Sequence, residues 1–353
     1  MLKTLLSGDY PRSRVLSLVV LAIGISLLLA PFLYPGTKSL DTAAKIAIFV
    51  VLVASYDLLL GYTGIVSFAH TMFFGIGAYG TALTLSSMGP SFTAILLGML
   101  AGAIVAAVFA LAIGLFSLRV KAIFFAMVTL AIASAFAVLV SQLSGFTGGE
   151  DGLTYRIPRE LTPGFRPIKE KLFGTAINGR LIAYYLIFFL SAFLFLVMLR
   201  IVNSPFGRTL QAVRDNGFRA EAIGYRAVLY RTTATVLSAV MAALSGSLLA
   251  IWLRYTGPAT TLSMEIMVDI LLMVVIGGMG TMYGAVIGAT IFILAQTYLQ
   301  DVMGVAEKAT EALPLISVLV APERWLLWLG VLFILSVYFF PAGIVGRLRG
   351  QGG

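Results

Sequence analysis

The chain has no cysteine among its 353 residues, and it has a single histidine, His70. Without cysteine, it forms no disulfide and has no thiolate for metal binding or nucleophilic chemistry. With one histidine, a cluster of histidine ligands around a metal is excluded as well. No glycine is followed by lysine anywhere in the sequence, so the Walker A phosphate loop of ATPases is absent.

Charged residues are also scarce: they make up 11% of the chain, whereas hydrophobic residues make up 60%. Soluble domains contain about a quarter charged residues, so this chain cannot cover a globule with a polar surface. Apolar runs of about 18 residues or more recur, and each can cross a bilayer as a helix. We predict an all-α polytopic membrane protein with about ten transmembrane helices and glycine-rich breaks. The predicted spans are 15–34, 43–60, 64–86, 92–117, 120–140, 181–200, 232–253, 264–280, 284–300 and 325–340.

The basic residues predict the orientation of a single transmembrane domain over 1–353. The formal net charge is +9, and the cations lie in short segments between apolar runs, where positive-inside topology places them. Nucleic acid is therefore not an expected partner. An even number of spans predicts that both termini are cytoplasmic, with 203–231 inside and 141–180 outside. The first apolar run lacks a small-residue cleavage site, so we expect it to remain as a helix. The basic residues near the termini are Lys3, Arg12, Arg14, Arg347 and Arg349.

The inner segment, NSPFGRTLQAVRDNGFRAEAIGYRAVLYR, is predicted to be structured. TLQAVRD predicts a helix that stops at Asn216-Gly217, and FRAEAI predicts a second short helix that stops at Gly224. Two short helices bracketed by glycines predict a compact knob at the membrane face. The outer segment 141–180 is rich in glycine, proline and charge, so we expect it to be solvated and rich in turns.

The stretch GYTGIVSFAHTMFFGIGAYG, at 61–80, interrupts an apolar region with glycines and small polar residues. At 100° per residue, its small residues share one helix face: Gly64, Ser67, Thr71, Gly75, Ala78 and Ala82. GYTG predicts a break just before this face, and lipid cannot satisfy the freed backbone groups, so the break should line a cavity. A break at mid-bilayer would belong to the substrate route, whereas a break at the cytoplasmic end would be a hinge. The residues that we predict for a translocation path are Gly61, Gly64, Ser67, Thr71, Gly75 and Asp269.

Three acids lie at or near membrane depth, and each has a structural alternative to a role in transport. Glu265 and Asp269 are one helical turn apart and share a face; Glu265 is near the outer end of its span, and Asp269 is deeper. Asp57, near an inner span end, would hydrogen-bond the backbone near Gly61. For His70 a structural role is favoured, because a neutral imidazole can bond a nearby carbonyl. A catalytic site needs several convergent polar groups, so an intramembrane enzyme is not expected.

Five blocks, in order along about residues 45 to 300, carry a family resemblance. They are YDLLLGYTGIVSFAHTMFFGIGAYG, TGGEDGL at 147–153, GRTLQAVRDNGFRAEAIGY, SAVMAALSGSLLA and VVIGGMGTMYGAVIGA. Together they resemble bacterial branched-chain amino-acid ABC permeases of the LivM type. Within the last block, GGMGTMYGAVIGA at 277–289 loosely echoes the first glycine cluster, which indicates two related halves.

The resemblance implies the ABC importer permease fold and a translocation path for branched-chain amino acids in the bacterial inner membrane. It implies a second homologous permease, two cytoplasmic ATPase subunits and a periplasmic substrate-binding protein as partners. The chain then binds no cofactor and is not an enzyme, since the partner subunits use the ATP. The inner segment matches the region that docks on the ATPase. The residues that this assigns to ATPase coupling are Arg214, Asp215, Arg219, Glu221, Ala222 and Gly224.

Two other functions stay open on the sequence. The same family pattern covers permeases for urea and other small amides, and nothing in the residues distinguishes these substrates from leucine. A self-contained secondary transporter or channel would use Asp269 and Glu265 for ion coupling, but it would not need the glycine-bracketed inner helices.

Overall fold

Helices make up most of the computed structural model, which describes residues 14–33, 36–117, 122–167, 171–172, 175–310, 321–339 and 343–350. The helices are α1 (Arg14–Leu33), α2 (Thr37–Thr63), α3 (His70–Met88), α4 (Phe92–Ser117), α5 (Ala122–Gln142), α6 (Ser144–Thr147), α7 (Gly179–Val202), α8 (Pro205–Asp215), α9 (Gly217–Ala222), α10 (Ala227–Leu253), α11 (Pro258–Thr261), α12 (Met264–Gly277), α13 (Met282–Ala309), α14 (Trp325–Phe339) and α15 (Gly343–Gly350). The strands are β1 (Leu153–Thr154), β2 (Lys171–Leu172), β3 (Thr175–Ala176) and β4 (Tyr255–Thr256). Lys3 and Arg12, used above for the orientation, lie outside the described residues.

Eight helical stretches among the described residues are long and apolar enough to cross a membrane. They are α1, α2, α4, α5, α7, α10, α11 together with α12, and α13. The other two predicted spans correspond to α14 and α3. Helix α14 has 15 residues, fewer than the roughly 20 that a span needs, and α3 is diluted by glycine, serine and threonine. The prediction of a polytopic all-α membrane protein is confirmed.

Helix α3 is enclosed by α4 and α10. A Cβ atom on Gly77 of α3 would lie 1.8 Å from the carbonyl oxygen of Ala243 on α10, so no larger residue fits at this crossing. Small residues of this kind let two helix backbones touch inside a membrane. Because protein surrounds α3, this helix tolerates a lower hydropathy than the spans that face lipid.

The predicted outer segment is tied to the end of α10. Strands β1 and β4 pair antiparallel, with Leu153 opposite Thr256. The buried Tyr155 hydroxyl donates to the carbonyl oxygen of Ala250 at 2.9 Å and lies 2.9 Å from the Thr256 hydroxyl. Strands β2 and β3 form a separate two-stranded hairpin. The segment is thus rich in turns, as expected, but it is also anchored to the bundle by backbone and side-chain bonds.

Candidate functional site

Three separate parts of the chain meet where α2 ends: the last turns of α2, the turn 278–281 between α12 and α13, and the end of α8. The meeting point is built from Asp57, Gly61, Gly64, Arg214 and Gly280, and we call it the glycine junction. The two glycine clusters of the sequence therefore lie against each other. A Cβ atom on Gly61 would lie 2.3 Å from the backbone nitrogen of Gly280, so only glycine allows this approach.

Asp57 connects α2 to the turn 278–281. Its Oδ1 accepts a hydrogen bond of 2.8 Å from the backbone N–H of Gly280. The Asp57 residue is 1% exposed, and its Oδ2 has no hydrogen-bond partner among the described residues. Gly280 has a φ of 76°, in the left-handed region that favours glycine. As its structural alternative, Asp57 was predicted to hydrogen-bond the backbone near Gly61. It bonds the backbone of the second glycine cluster instead.

Arg214 connects α8 to the same point. Its guanidinium donates a hydrogen bond to the carbonyl oxygen of Gly61. On the way, its Cγ passes 3.2 Å from where a Cβ of Gly64 would lie, and its Nη1 lies 3.1 Å from where a Cβ of Gly280 would lie. The last carbonyl groups of a helix have no partner within the helix and carry partial negative charge. A cation at the end of α2 is therefore electrostatically favourable.

Helix α2 ends at Thr63 with Gly64 as its C-cap, later than the predicted break. Gly61, Tyr62 and Thr63 are still helical, and Gly64 ends the helix with a φ of 71° and an N–H that donates to the carbonyl oxygen of Leu59. The expected helix from Gly64 through Ser67 is wrong: residues 64–69 are not helical, and α3 begins at His70. The spacing of small residues predicts one continuous helix face. It does not show that Gly64 adopts a left-handed backbone conformation, which stops the helix.

Residues 64–69 lead the chain back into the bundle. His70 Nε2 lies 2.8 Å from the hydroxyl of Ser55, which is eight residues before the end of α2, or about 12 Å along the helix axis. Thr129 of α5 accepts a 3.0 Å hydrogen bond from the N–H of Phe68, and the Ser67 hydroxyl accepts one of 3.3 Å from the N–H of Ala69. Protein groups thus bond backbone that lipid would leave unsatisfied.

His70 has the contacts of a packing residue. The Ser55 hydroxyl donates to the carbonyl oxygen of Leu52 at 2.7 Å, so it accepts the Nε2–H of His70. The imidazole also packs edge-on against Tyr56, with ring centroids 5.1 Å apart. These contacts are those of the structural alternative, although the partner is a hydroxyl rather than a carbonyl.

The residues predicted for a translocation path fall into three places. Gly61 and Gly64 belong to the glycine junction, whose position beside α8 favours the hinge alternative for GYTG. Three others, Ser67, Thr71 and Gly75, are buried in and beside α3, and Gly75 packs against the side chain of Leu262. The sixth residue, Asp269, lies on the surface of α12. A path along these residues stays a prediction.

The surface of α12 carries the acidic pair. Asp269 is half-buried and accepts a 3.4 Å hydrogen bond from Gln296 of α13. Glu265, one turn earlier, is exposed. The described residues contain no hydrogen bond or ion pair that joins either acid to the glycine junction or to α3.

Helices α8 and α9 form the predicted knob, with the expected stops. Helix α8 ends at Asp215, and Asn216 caps α9 by accepting the N–H of Arg219 at 2.9 Å. After α9, Gly224 has a φ of 99°. The other residues assigned to ATPase coupling, Asp215, Arg219, Glu221, Ala222 and Gly224, are exposed. Arg214 is also largely exposed, but its guanidinium reaches the glycine junction.

The knob presents an apolar surface that the sequence reasoning missed. Phe218 is 86% exposed and Ile223 is 70% exposed. The residues predicted for ATPase coupling are mainly the polar ones of this segment, and neither Phe218 nor Ile223 is among them. The sequence did contain a signal for this surface. A short, charged segment bracketed by glycines needs few apolar residues for a core, so a Phe and an Ile within it are candidates for exposure.

Comparison with known proteins gives a consistent result. The family described as "Branched-chain amino acid transport system / permease component" matches residues 39–337. The chain is similar to the high-affinity branched-chain amino acid transport system permease protein LivM of Salmonella typhimurium, at 25% identity over 98% of this chain and 78% of the relative. It is similar to LivM of Escherichia coli over the same shares, also at 25% identity. A probable LivM permease of Methanocaldococcus jannaschii is 24% identical over 46% of this chain and 45% of the relative. No solved structure matches.

Proposed function

The chain belongs to the family of branched-chain amino acid transport permease components, and from this premise we propose that it is the membrane subunit of an ATP-binding-cassette importer. It forms the translocation path for branched-chain amino acids, the substrate class named for its relatives. As a multi-pass membrane protein it supplies the spans of the importer, and it does not supply the chemistry of ATP hydrolysis.

The observation that carries the importer assignment is the exposed apolar surface of α9. Phe218 and Ile223 project from a segment that lies outside the candidate spans. Two largely exposed apolar side chains five residues apart, in a segment outside the candidate spans, fit a protein-binding site. Arg219 and Glu221 are exposed beside them, in the way that a polar rim surrounds an interface core. We assign this surface to a cytoplasmic ATPase subunit.

Separate subunits supply the energy for transport. The chain contains no Walker A sequence, so ATP binding belongs to two partner ATPases. Each ATPase engages one permease, either this chain or a second, homologous one. A periplasmic binding protein delivers the amino acid. A short helix held against the bundle transmits ATPase closure to the spans as a rigid-body movement.

The acidic face of α12 supports a protein-lined or water-filled path on that side of the chain. Glu265 is exposed and Asp269 is half-buried on a candidate span. A carboxylate at the centre of a span costs about 2.5–3.5 kcal/mol, so lipid is an unfavourable neighbour for Asp269. We place Asp269 on the path that this chain forms with the second permease.

The location proposed is the bacterial inner membrane, with both termini in the cytoplasm. The basic segment 203–231 then faces the cytoplasm, as positive-inside topology requires. The segment that contains β1, β2 and β3 faces the periplasm, where the binding protein docks.

Co-purification with the ATPases tests the docking surface. We expect Phe218→Glu and Glu221→Arg to weaken ATPase binding while the permease still accumulates in the membrane. Phe146→Glu is the matched control, because Phe146 is 63% exposed on α6, in the predicted outer segment. If Phe218→Glu and Glu221→Arg bind the ATPases as well as the control does, the assignment of α9 is wrong.

The substrate class has its own test. Calorimetry on the cognate binding protein should show binding of leucine, isoleucine or valine. If the binding protein binds urea or a short amide instead of these amino acids, the proposed substrate class is wrong. The importer assignment would still hold.

A further inference from the structure

The glycine junction lies between the ATPase-docking surface and the membrane helices, and Arg214 is the residue that joins the two. We propose that Arg214 is a positioning residue that transmits movement of α8 and α9 to α2 and to the turn 278–281, rather than a residue that binds the ATPase. This inference rests on the proposed importer function. It goes beyond that function by giving Arg214 a role inside the permease.

The two knob helices pack together with the start of α10. Val213 of α8, Ala220 of α9 and Ala227 of α10 form a small buried core of their own. The Asn216 side chain caps α9 directly after α8 ends. A displacement imposed on Phe218 is therefore passed to the last turn of α8, where Arg214 is located.

Arg214 is hydrogen-bonded to one backbone and lies beside a second. It donates to the carbonyl oxygen of Gly61, and its Nη1 lies 3.1 Å from the position that a Cβ of Gly280 would take. Gly280 is in turn bonded to Asp57 of α2. A pull on the guanidinium therefore acts together on α2 and on the turn that joins α12 to α13.

The glycines of both clusters make this contact possible. A side chain at Gly61 would collide with Asp57 and with the backbone of Gly280, and Arg214 occupies the space beside Gly64 and Gly280. A helix cap could be supplied by water or by any nearby cation. An arginine whose stem passes Gly64 and whose guanidinium meets Gly61 and Gly280 fits a specific mechanical connection better than a general cap.

From the junction, two connections lead towards the predicted path. Helix α2 carries Ser55, whose hydroxyl holds His70 at the start of α3. The turn 278–281 continues directly from α12, which carries Asp269. A shift of the glycine junction thus tilts the helices on which Thr71 and Asp269 lie.

The test uses the full complex in proteoliposomes, with its own ATPases, second permease and binding protein, and with radiolabelled leucine as the probe. For Arg214→Gln we expect ATPase binding equal to wild type, but about tenfold less leucine imported per ATP hydrolysed, the scale of losing a hydrogen bond from a charged donor. Arg208→Gln is the matched control: Arg208 is exposed on the same helix, and it should behave as wild type. Arg214→Lys, which keeps the positive charge and a donor nitrogen but not the guanidinium fork, should recover part of the coupling.

The outcomes separate this inference from the function on which it rests. If Arg214→Gln loses ATPase binding as Glu221→Arg does, Arg214 is a docking residue and the inference is overturned. It is also overturned if Arg214→Gln imports as much leucine per ATP as wild type. If Arg214→Gln does not accumulate, Arg214→Lys is judged by the same two criteria, because it keeps a cation at the end of α2 but loses the planar guanidinium. Failure of the wild-type complex to import would instead contradict the proposed function.

Discussion

Arg214 of α8 donates a hydrogen bond to the carbonyl oxygen of Gly61 on α2, 153 residues earlier in the chain. The bond joins a helix that lies outside the candidate spans to a candidate span. The contact also explains the glycines: Gly61 leaves room for the backbone of Gly280, and Gly64 and Gly280 leave room for the Arg214 side chain.

Thr129→Val should destabilise the non-helical segment 64–69. The substitution keeps the shape of the side chain but removes the acceptor of the Phe68 N–H, and a buried donor without a partner costs about 1–3 kcal/mol. Thermal unfolding of the purified permease in detergent measures the loss. Thr290→Val is the matched control, because the Thr290 hydroxyl bonds the carbonyl oxygen of Val286 in its own helix. Equal melting temperatures for the two variants would contradict a role for Thr129 in this segment.

Gly77→Ala should damage the contact between α3 and α10. The added methyl group would lie 1.8 Å from the carbonyl oxygen of Ala243, so the helices must separate, and overpacking of this kind costs about 1–3 kcal/mol. We expect less folded permease in the membrane and a lower melting temperature. Gly24→Ala provides the control, since a Cβ there has no atom within 4 Å among the described residues. A Gly77→Ala protein as stable as Gly24→Ala would show that α3 and α10 do not touch in this way.

The glycine junction also shows how far sequence reasoning extends. Apolar runs were sufficient to predict eight of the ten expected spans as candidate membrane spans, because the ability to cross lipid depends mainly on local length and composition. They did not reveal that Gly64 ends α2 and that residues 64–69 return into the bundle, because the anchors of that segment, Ser55 and Thr129, are distant in the sequence. Nor does any local pattern show that Arg214 reaches Gly61. The exposure of Phe218 was not predicted for another reason. It depends on how α9 packs against the other helices, which the local sequence does not show.

Asp269→Cys should react with a membrane-impermeant thiol reagent in the assembled complex. The chain has no native cysteine, so the introduced thiol is the only target in this subunit, and thiol reagents need water to form the reactive thiolate. Val108→Cys serves as the control, because Val108 is 61% exposed on the surface of the candidate span α4 and should face lipid. If both cysteines are equally unreactive, the acidic face of α12 does not line a water-filled path.

ATP-driven uptake in a reconstituted complex tests the central claim most directly. Proteoliposomes containing this permease, its homologous partner and the two ATPases, with binding protein outside and ATP inside, are given radiolabelled leucine. The account predicts that leucine accumulates when both ATP and binding protein are present, and that uptake falls to background when either is omitted. Leucine uptake that continues without ATP, driven by an ion gradient, would contradict the account and identify a self-contained secondary transporter.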